Sequence, residues 1–249
     1  MSRPPKIFST KPVGPKSSAL RGLRLITAHR RAKASDRALA TILAAIAGAA
    51  NAGGFILLGS YTSHMTGYLS ALADNIVLQN LALVGQSLLA ITLFVLGAAA
   101  SALTINWARD HRPTRQYAIP IGLQGGLLVA LAGLGAADLA PALAQTLGLG
   151  LLSFIMGFQN ATITKISYAR IRTTHATGMI TDVGIELGRA AYGRVFHTAT
   201  RADRAKLAIL LQLLATFLIG GIIGALGYSY AGFAFSLPLA AILLGLALL

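Results

Sequence analysis

The chain alternates between long apolar runs and short polar segments. Six apolar runs occupy residues 38–60, 81–107, 117–136, 139–164, 205–228 and 232–249. A run of about 20 apolar residues is long enough to cross the hydrocarbon core of a bilayer as an α-helix. Transmembrane β-strands are much shorter and alternate in hydrophobicity, which these runs do not. The pattern therefore predicts an all-α polytopic membrane protein with six transmembrane helices.

The composition agrees with a membrane location. Of the 249 residues, 55% are hydrophobic and 11% are charged. An average soluble domain has about 25% charged residues, so this chain has too few charges to cover a water-exposed surface. The absence of cysteine excludes disulfides and thiolate chemistry.

The basic residues are confined to three segments, and they predict the orientation in the membrane. Of the 21 Lys and Arg, ten lie before residue 38, three lie at 109–115 and eight lie at 165–206. Because basic loops face the cytoplasm, both chain ends are expected there. The net charge of +14 then reflects topology, and no nucleic-acid partner is expected. Residues 1–36 are predicted to form a basic, disordered cytoplasmic tail that meets anionic headgroups, and residues 37–249 one membrane domain.

Three sequence blocks occur twice in the same order. The clearest is a polar heptad, YTSHMTG at 61–67 and RTTHATG at 172–178. Upstream of it, Gly48-x-x-Asn51-Ala52 recurs as Gly157-x-x-Asn160-Ala161; downstream, Phe94-x-x-Gly97 recurs as Phe217-x-x-Gly220. A conserved order of blocks predicts an internal duplication, with residues 37–136 and 137–249 as the two copies.

The number of spans per copy predicts how the copies are oriented. Each copy contains three spans, so the second copy enters the membrane from the opposite side. Two inverted three-helix repeats are the plan of many secondary transporters. A duplication that only builds a stable helix bundle is the alternative interpretation.

Amides near the repeated glycines are candidate substrate ligands. Gly53 and Gly54 follow Asn51 directly, and a glycine pair weakens a helix. We predict that helices one and four break near these amides and expose backbone groups to a cavity. The predicted substrate-binding residues are Asn51, Gln159 and Asn160. The alternative is that these amides hydrogen-bond between helices and only hold them together.

The two heptads are predicted to form gates or helix caps at the two membrane faces. Hydroxyl groups accept hydrogen bonds from the first amides of a helix, and the positive end of a helix favours anionic groups. The imidazoles can titrate near neutral pH or simply pack at the headgroup level. The residues of this motif are Thr62, Ser63, His64, Thr66, Gly67, Thr173, Thr174, His175, Thr177 and Gly178.

Few carboxylates are available for proton or ion coupling. Asp74 and Asp182 are the candidates, because a carboxylate at membrane depth is costly unless it has a function. The alternative is that Asp182 lies at the cytoplasmic surface and pairs with basic neighbours there. That surface interpretation is preferred for Glu186.

Enzymatic motifs are absent from the sequence. It contains no phosphate-binding Walker loop, no HExxH, no GxSxG and no dinucleotide fingerprint. Two isolated histidines on opposite faces do not make a metal site. We expect neither catalysis nor a cofactor.

The motifs carry a resemblance to a known family. TSHMTG at 62–67, GFQNA at 157–161 and TTHATG at 173–178 resemble the YoaK family of small six-span bacterial membrane proteins of unknown function, often labelled permeases. The resemblance covers residues 37–249, and it departs at Tyr68, where the family usually has Asn. It implies six helices in a bacterial inner membrane.

Two functions follow as hypotheses. The first is a small secondary transporter or permease that moves an unidentified small solute by alternating access, with a homo-oligomer as one option. The second is a non-transporting scaffold or lipid-interacting membrane protein.

Overall fold

The described part of the chain folds mainly into α-helices. The computed structural model describes residues 33–166 and 176–248, and the α-helices in these ranges are α1 (Lys33–Leu58), α2 (Met65–Val77), α3 (Leu81–His111), α4 (Ala118–Ala136), α5 (Pro141–Ile166), α6 (Ala176–Val195), α7 (Arg204–Ala231) and α8 (Ser236–Leu248). Short 3-10 helices, Pro113–Arg115 and Gly232–Phe235, precede α4 and α8. The predicted tail lies outside the described residues except for its last four, which begin α1.

Five helical segments in the described ranges are long and apolar enough to cross a membrane: Arg37–Leu58, Leu81–His111, Ala118–Ala136, Pro141–Ile166 and Arg204–Leu248. The last one contains both α7 and α8. Between them Gly232 has a φ of 54°, a conformation that glycine adopts without strain. The chain turns back here, since the Tyr228 hydroxyl hydrogen-bonds Ser236 Oγ at 2.9 Å. The all-α prediction is confirmed for the described residues, with five to six candidate membrane-spanning helices.

The outer surfaces of the long helices are apolar. Large exposed side chains on α3 and α7 include Leu88, Val95, Leu96, Leu103, Leu211, Leu218, Ile222 and Leu226. An apolar surface of this extent is costly in water and is the surface that lipid tails cover. The buried core is formed mainly by α1, α4, α5 and α8.

Helices α1 and α7 pack with their backbones in direct contact. A Cβ added at Gly48 would overlap the Phe217 carbonyl oxygen, and one added at Gly220 would overlap the carbonyl oxygen of Ala45. Further along, a Cβ at Gly224 would overlap Ala49. Contacts therefore advance in the same direction along both helices, so α1 and α7 run parallel. Small residues permit such close approach of helices in lipid.

Helices α3 and α5 form a second contact of the same kind. A Cβ at Gly157 would overlap the Phe94 carbonyl oxygen, and a Cβ at Gly97 would overlap that of Phe154. The hydroxyls of Ser101 and Thr162 hydrogen-bond further along, at 2.8 Å. These helices also run parallel. We call the α1–α7 and α3–α5 contacts the two glycine seams.

Helices α1 and α5 run antiparallel to each other. Gln159 Nε2, near the end of α5, donates to the carbonyl of Leu43 near the start of α1 at 2.6 Å. At the other end of the pair, Gly148 packs near the side chain of Leu58. Helix α4 packs against α8. The short helices α2 and α6 pack against α3 and α7, respectively.

The prediction that helices one and four break is wrong. Helix α1 continues through Gly53 and Gly54 to Leu58, and α5 continues through Asn160 to Ile166. The glycines provide room for neighbours instead. A Cβ at Gly53 would lie 2.5 Å from the ring of Tyr228, and one at Gly54 would lie 2.8 Å from the carbonyl oxygen of Ser60.

Candidate functional site

A cavity lies between the two glycine seams and the starts of α2 and α6. Its volume is about 810 Å³, within the range of roughly 300–1,000 Å³ that is usual for small-molecule sites. The residues that line it are Asn51, Tyr61, Ser63, His64, Met65, Thr66, Phe94, Ala98, Asn160, Ala161, Thr164, Lys165, Ala176, Thr177 and Phe217.

Corresponding positions of the duplicated blocks meet at this cavity. Asn51 and Asn160 both line it, and so do Thr66 and Thr177 from the two heptads, and Phe94 and Phe217 from the third block. The register of α1 against α5 separates the two Asn residues by roughly 10 Å along the helix axes, since an α-helix rises about 1.5 Å per residue. The sequence alone predicts that the three blocks correspond between the two copies. Each block contributes a pair of residues to the lining of this cavity.

Asn51 fixes the first heptad against α1. Its Oδ1 accepts hydrogen bonds from the Ser63 backbone N–H at 3.2 Å and from Ser63 Oγ at 2.8 Å. A backbone N–H can only donate, so the orientation of the Asn51 amide is determined. Its NH₂ group is then left as a donor at the cavity, without a hydrogen bond to the described part of the chain.

The remaining residues of the first heptad have different surroundings. His64 precedes the first residue of α2, and its ring makes no capping hydrogen bond. Gly67 lies against that ring, because a Cβ at this position would overlap it. Thr62 is fully buried and does not line the cavity, and its hydroxyl has no partner among the described residues.

Only part of the second heptad is described. Thr173, Thr174 and His175 lie outside the described residues. Thr177 and Gly178 belong to the first turn of α6, where Thr177 is exposed at the cavity and Gly178 is partly buried.

Gln159 lies away from the cavity, in a buried chain of amides. It accepts a hydrogen bond from Gln124 Nε2 at 2.7 Å and donates to the Leu43 carbonyl. Both side chains are completely buried. These contacts tie α4, α5 and α1 together, which is the helix-holding role that the sequence left open for this amide.

The candidate carboxylates do not reach the cavity. Asp74 is exposed on α2. Asp182 lies on α6, where its Oδ1 is 3.3 Å from the Lys206 ammonium group. The two carboxylates of α6 therefore meet α7, since Glu186 is 3.5 Å from the same Lys206.

Glu186 is buried where α6 meets α7. Its side chain is only 2% exposed. The backbone N–H of Asp203 donates to Glu186 Oε2 at 2.9 Å, and Arg189 lies 3.4 Å from Oε1. The Asp203 N–H lowers the pKa of Glu186 most; Arg189 and Lys206 lower it further, against the opposing effect of burial. Pairing with a local Arg was predicted; the backbone contact was not.

Several lining residues were not recognised as site residues from the sequence. Lys165 lies four residues after the second Asn block and is the charged residue of α5. Phe94 and Phe217 belong to the third repeated block. Membership in a repeated block is the sequence signal that could have found these two phenylalanines, and no repeated block contains Lys165.

A family model covers nearly the whole membrane part of the chain. Residues 39–249 match the family described as Protein of unknown function (DUF1275). The chain belongs to this family. The match confirms the predicted resemblance to an uncharacterised family. No curated protein and no solved structure matches the chain significantly. The family description names no activity, so function has to be argued from the cavity.

Proposed function

We propose that this protein is a small secondary transporter or permease that moves a small solute across the bacterial inner membrane by alternating access. One observation carries the proposal: corresponding residues of the duplicated blocks line a single cavity of about 810 Å³. A duplication that only stabilised a bundle would place its repeated polar residues in helix contacts. Here Asn51, Asn160, Thr66 and Thr177 all border one open space.

The direction of the helices supports an inverted relation between the copies. The Gly-x-x-Asn-Ala block lies on α1 in one copy and on α5 in the other, and these helices run antiparallel. The glycine seams support the same relation. The contact of Gly48 with Phe217 has its counterpart in the contact of Gly157 with Phe94. Each seam thus joins the first long helix of one copy to the second long helix of the other.

Alternating access needs a movement that exposes the cavity to each side in turn. The glycine seams are suited to this movement, because two helices that meet through backbone surfaces, without interlocking side chains, can slide along each other. Helices α2 and α6, which begin at the cavity, act as the two gates. With both chain ends in the cytoplasm, the α2 gate faces outward and the α6 gate faces inward.

Transport is tested with the full-length protein reconstituted into lipid vesicles. A panel of radiolabelled organic anions, amines, amino acids and sugars is offered, and uptake is compared with protein-free vesicles. Asn51→Ala and Asn160→Ala are expected to abolish uptake, because each removes an amide from the cavity wall. Asn106→Ala is the matched control, since Asn106 is exposed on α3 and does not line the cavity.

The outcomes separate the two functions considered from the sequence. Uptake that is lost in both cavity variants and retained in Asn106→Ala supports transport. The absence of uptake for every solute class, by protein shown to be folded, would contradict transport and favour a scaffold or lipid-interacting role. Unchanged uptake in Asn51→Ala and Asn160→Ala would remove these amides from the site.

The inverted arrangement is tested by labelling single cysteines. Because the chain has no cysteine, Leu78→Cys after α2 and Ala199→Cys after α6 can be introduced directly. In intact cells, an impermeant maleimide is expected to label the first and spare the second. Labelling of both from one side would contradict the inverted arrangement and with it alternating access between the copies.

A further inference from the structure

No acidic side chain lines the described cavity. The chain has seven acidic residues, and none is among the lining residues of the described cavity. Asp182 and Glu186 are paired with Lys206, and Asp110 with Arg109. The segment 167–175, which lies outside the described ranges, contains no Asp or Glu.

A positive charge lies at the cavity. Lys165, in the last turn of α5, lines the cavity, and no ion pair joins it to the residues whose side chains the structure describes. Among the described lining residues Lys165 is the one Lys or Arg, and none of them is a carboxylate. Such a site attracts a negatively charged ligand and repels a positively charged one.

The uncharged polar groups at the cavity add hydrogen-bond donors. The NH₂ group of Asn51 is free to donate, because its oxygen is occupied by Ser63. Helix α2 begins at Met65 without a side-chain cap from His64. Thr66, in its first turn, lines the same space. Donors together with a cation match the acceptor oxygens of an anion, and the helix start adds a partial positive charge.

Another part of the wall is apolar. Phe94 and Phe217 flank the cavity from the two seams, and Ala98, Ala161 and Met65 complete this part. An inorganic ion would leave these surfaces without a partner. A ligand with an anionic head and a hydrocarbon body would contact both kinds of wall.

We propose that the solute is a small organic anion, whose carboxylate or phosphate oxygens are bound by Lys165 and Asn51 and whose apolar body packs against Phe94 and Phe217. This inference rests on the proposed function, since it assigns the solute of the same cavity. Lys165 is the residue that distinguishes anions from other solutes.

Binding is tested by the thermal stability of the full-length protein in neutral detergent. The probes are hexanoate, hexyl phosphate, hexanamide and hexylamine, which share one hydrocarbon body and differ in the head group. Hexanoate or hexyl phosphate is expected to raise the unfolding temperature, with hexanamide and hexylamine ineffective. Phosphatidylglycerol is added in a separate arm, because a lipid headgroup offers the same phosphate chemistry.

Variants assign the effect to the cavity. Lys165→Met is expected to weaken anion binding roughly 10- to 100-fold, as expected for one charge-assisted hydrogen bond, and Lys165→Arg to retain it. Arg115→Met is the matched control, because it removes the same charge from an exposed turn outside the cavity. Equal loss in Arg115→Met would show a general charge effect and overturn the assignment.

The outcomes keep this inference separate from transport itself. If hexylamine stabilises the protein and is taken up, while hexanoate and hexyl phosphate have no effect, the anion assignment is overturned and the transport proposal is retained. Lys165-dependent anion binding without uptake into vesicles would contradict transport and leave the anion site standing. Stabilisation by phosphatidylglycerol alone, or by none of the probes, would overturn the assignment to a soluble organic anion.

Discussion

The first and second halves of the molecule use the same contacts between long helices and different contacts at their short helices. In the seams, Gly48 and Gly157 each lie against a phenylalanine carbonyl oxygen of the other half. Gly97 and Gly220 also lie against carbonyl oxygens of the other half, those of Phe154 and Ala45. The atom contacted is therefore the same throughout, and the residue type is the same for the first pair. Such contacts depend on backbone shape alone, so they survive sequence divergence elsewhere.

The short helices differ in how they are held. Helix α2 is connected to α1 through uncharged groups, with Ser63 bonded to Asn51. Helix α6 is held to α7 by ions, with Glu186 between Lys206 and Arg189. Because basic residues are concentrated on the predicted cytoplasmic side, only that side has the cations for an ionic contact. The comparison teaches that the contacts between long helices are alike in the two halves, while the contacts of the short helices differ in charge.

Replacing the seam glycines should have the largest effect and affect both halves alike. In Gly48→Leu or Gly157→Leu, the new side chain would collide with a carbonyl oxygen that cannot move without its helix. We expect each variant to lose at least about 3 kcal/mol of stability. The unfolding temperature in detergent and the yield of monodisperse protein measure this.

Gly126→Leu is the control for the seam variants, because no atom lies within 4 Å of a Cβ at that position. It should leave stability nearly unchanged. If Gly48→Leu were tolerated and Gly157→Leu were not, the two seams would not be equivalent. That result would contradict the claim that both halves use the same contacts between long helices.

Glu186→Gln should affect only the second half, and in a pH-dependent manner. The pKa of Glu186 is lowered from its ordinary value of 4.5 in the folded protein. A carboxylate with a lowered pKa stabilises the fold above its ordinary pKa, and this contribution is lost as the pH falls through the folded-state value. The difference between wild type and Glu186→Gln should therefore be largest at neutral pH and shrink below pH 4.5.

Amide hydrogen exchange in α6 and the unfolding temperature report this difference. Helix α2 serves as the internal control, since its exchange should not respond to the substitution. A difference that grows under acid conditions would contradict a lowered pKa for Glu186.

Ser63→Ala should have a moderate effect confined to the first half. It removes the 2.8 Å hydrogen bond to Asn51 and leaves the weaker backbone bond. We expect a loss of about 1 kcal/mol and faster exchange in α2, with α6 unchanged. Ser70→Ala is the control, since Ser70 is exposed on α2. Equal changes in the two short helices would show that the gates are coupled.

Thr62→Val should have the smallest effect. The Thr62 hydroxyl is buried without a described partner, and valine fills nearly the same volume without a polar group. The stability should change by less than about 0.5 kcal/mol, or rise slightly, because an unsatisfied polar group is removed. A loss above about 1 kcal/mol would indicate a hydrogen bond to that hydroxyl.

The sequence predicted the helices well and the roles of individual polar residues less well. Apolar length is a property of one segment, so the spans could be located from it. Whether Gly53 bends a helix or admits a neighbour depends on Tyr228, 175 positions away in the chain, and no local pattern contains that information. Gln159 and Asn160 are both predicted to bind substrate, yet adjacent residues on a helix point about 100° apart, and only Asn160 lines the cavity.

Phe94 and Phe217 give the seams a consequence for the cavity. Each presents its carbonyl to a glycine of the opposite half and also lines the cavity. A displacement of either helix pair would therefore reposition an aromatic wall in the same motion. Movement of the helices and the shape of the cavity would then be coupled through these two residues directly.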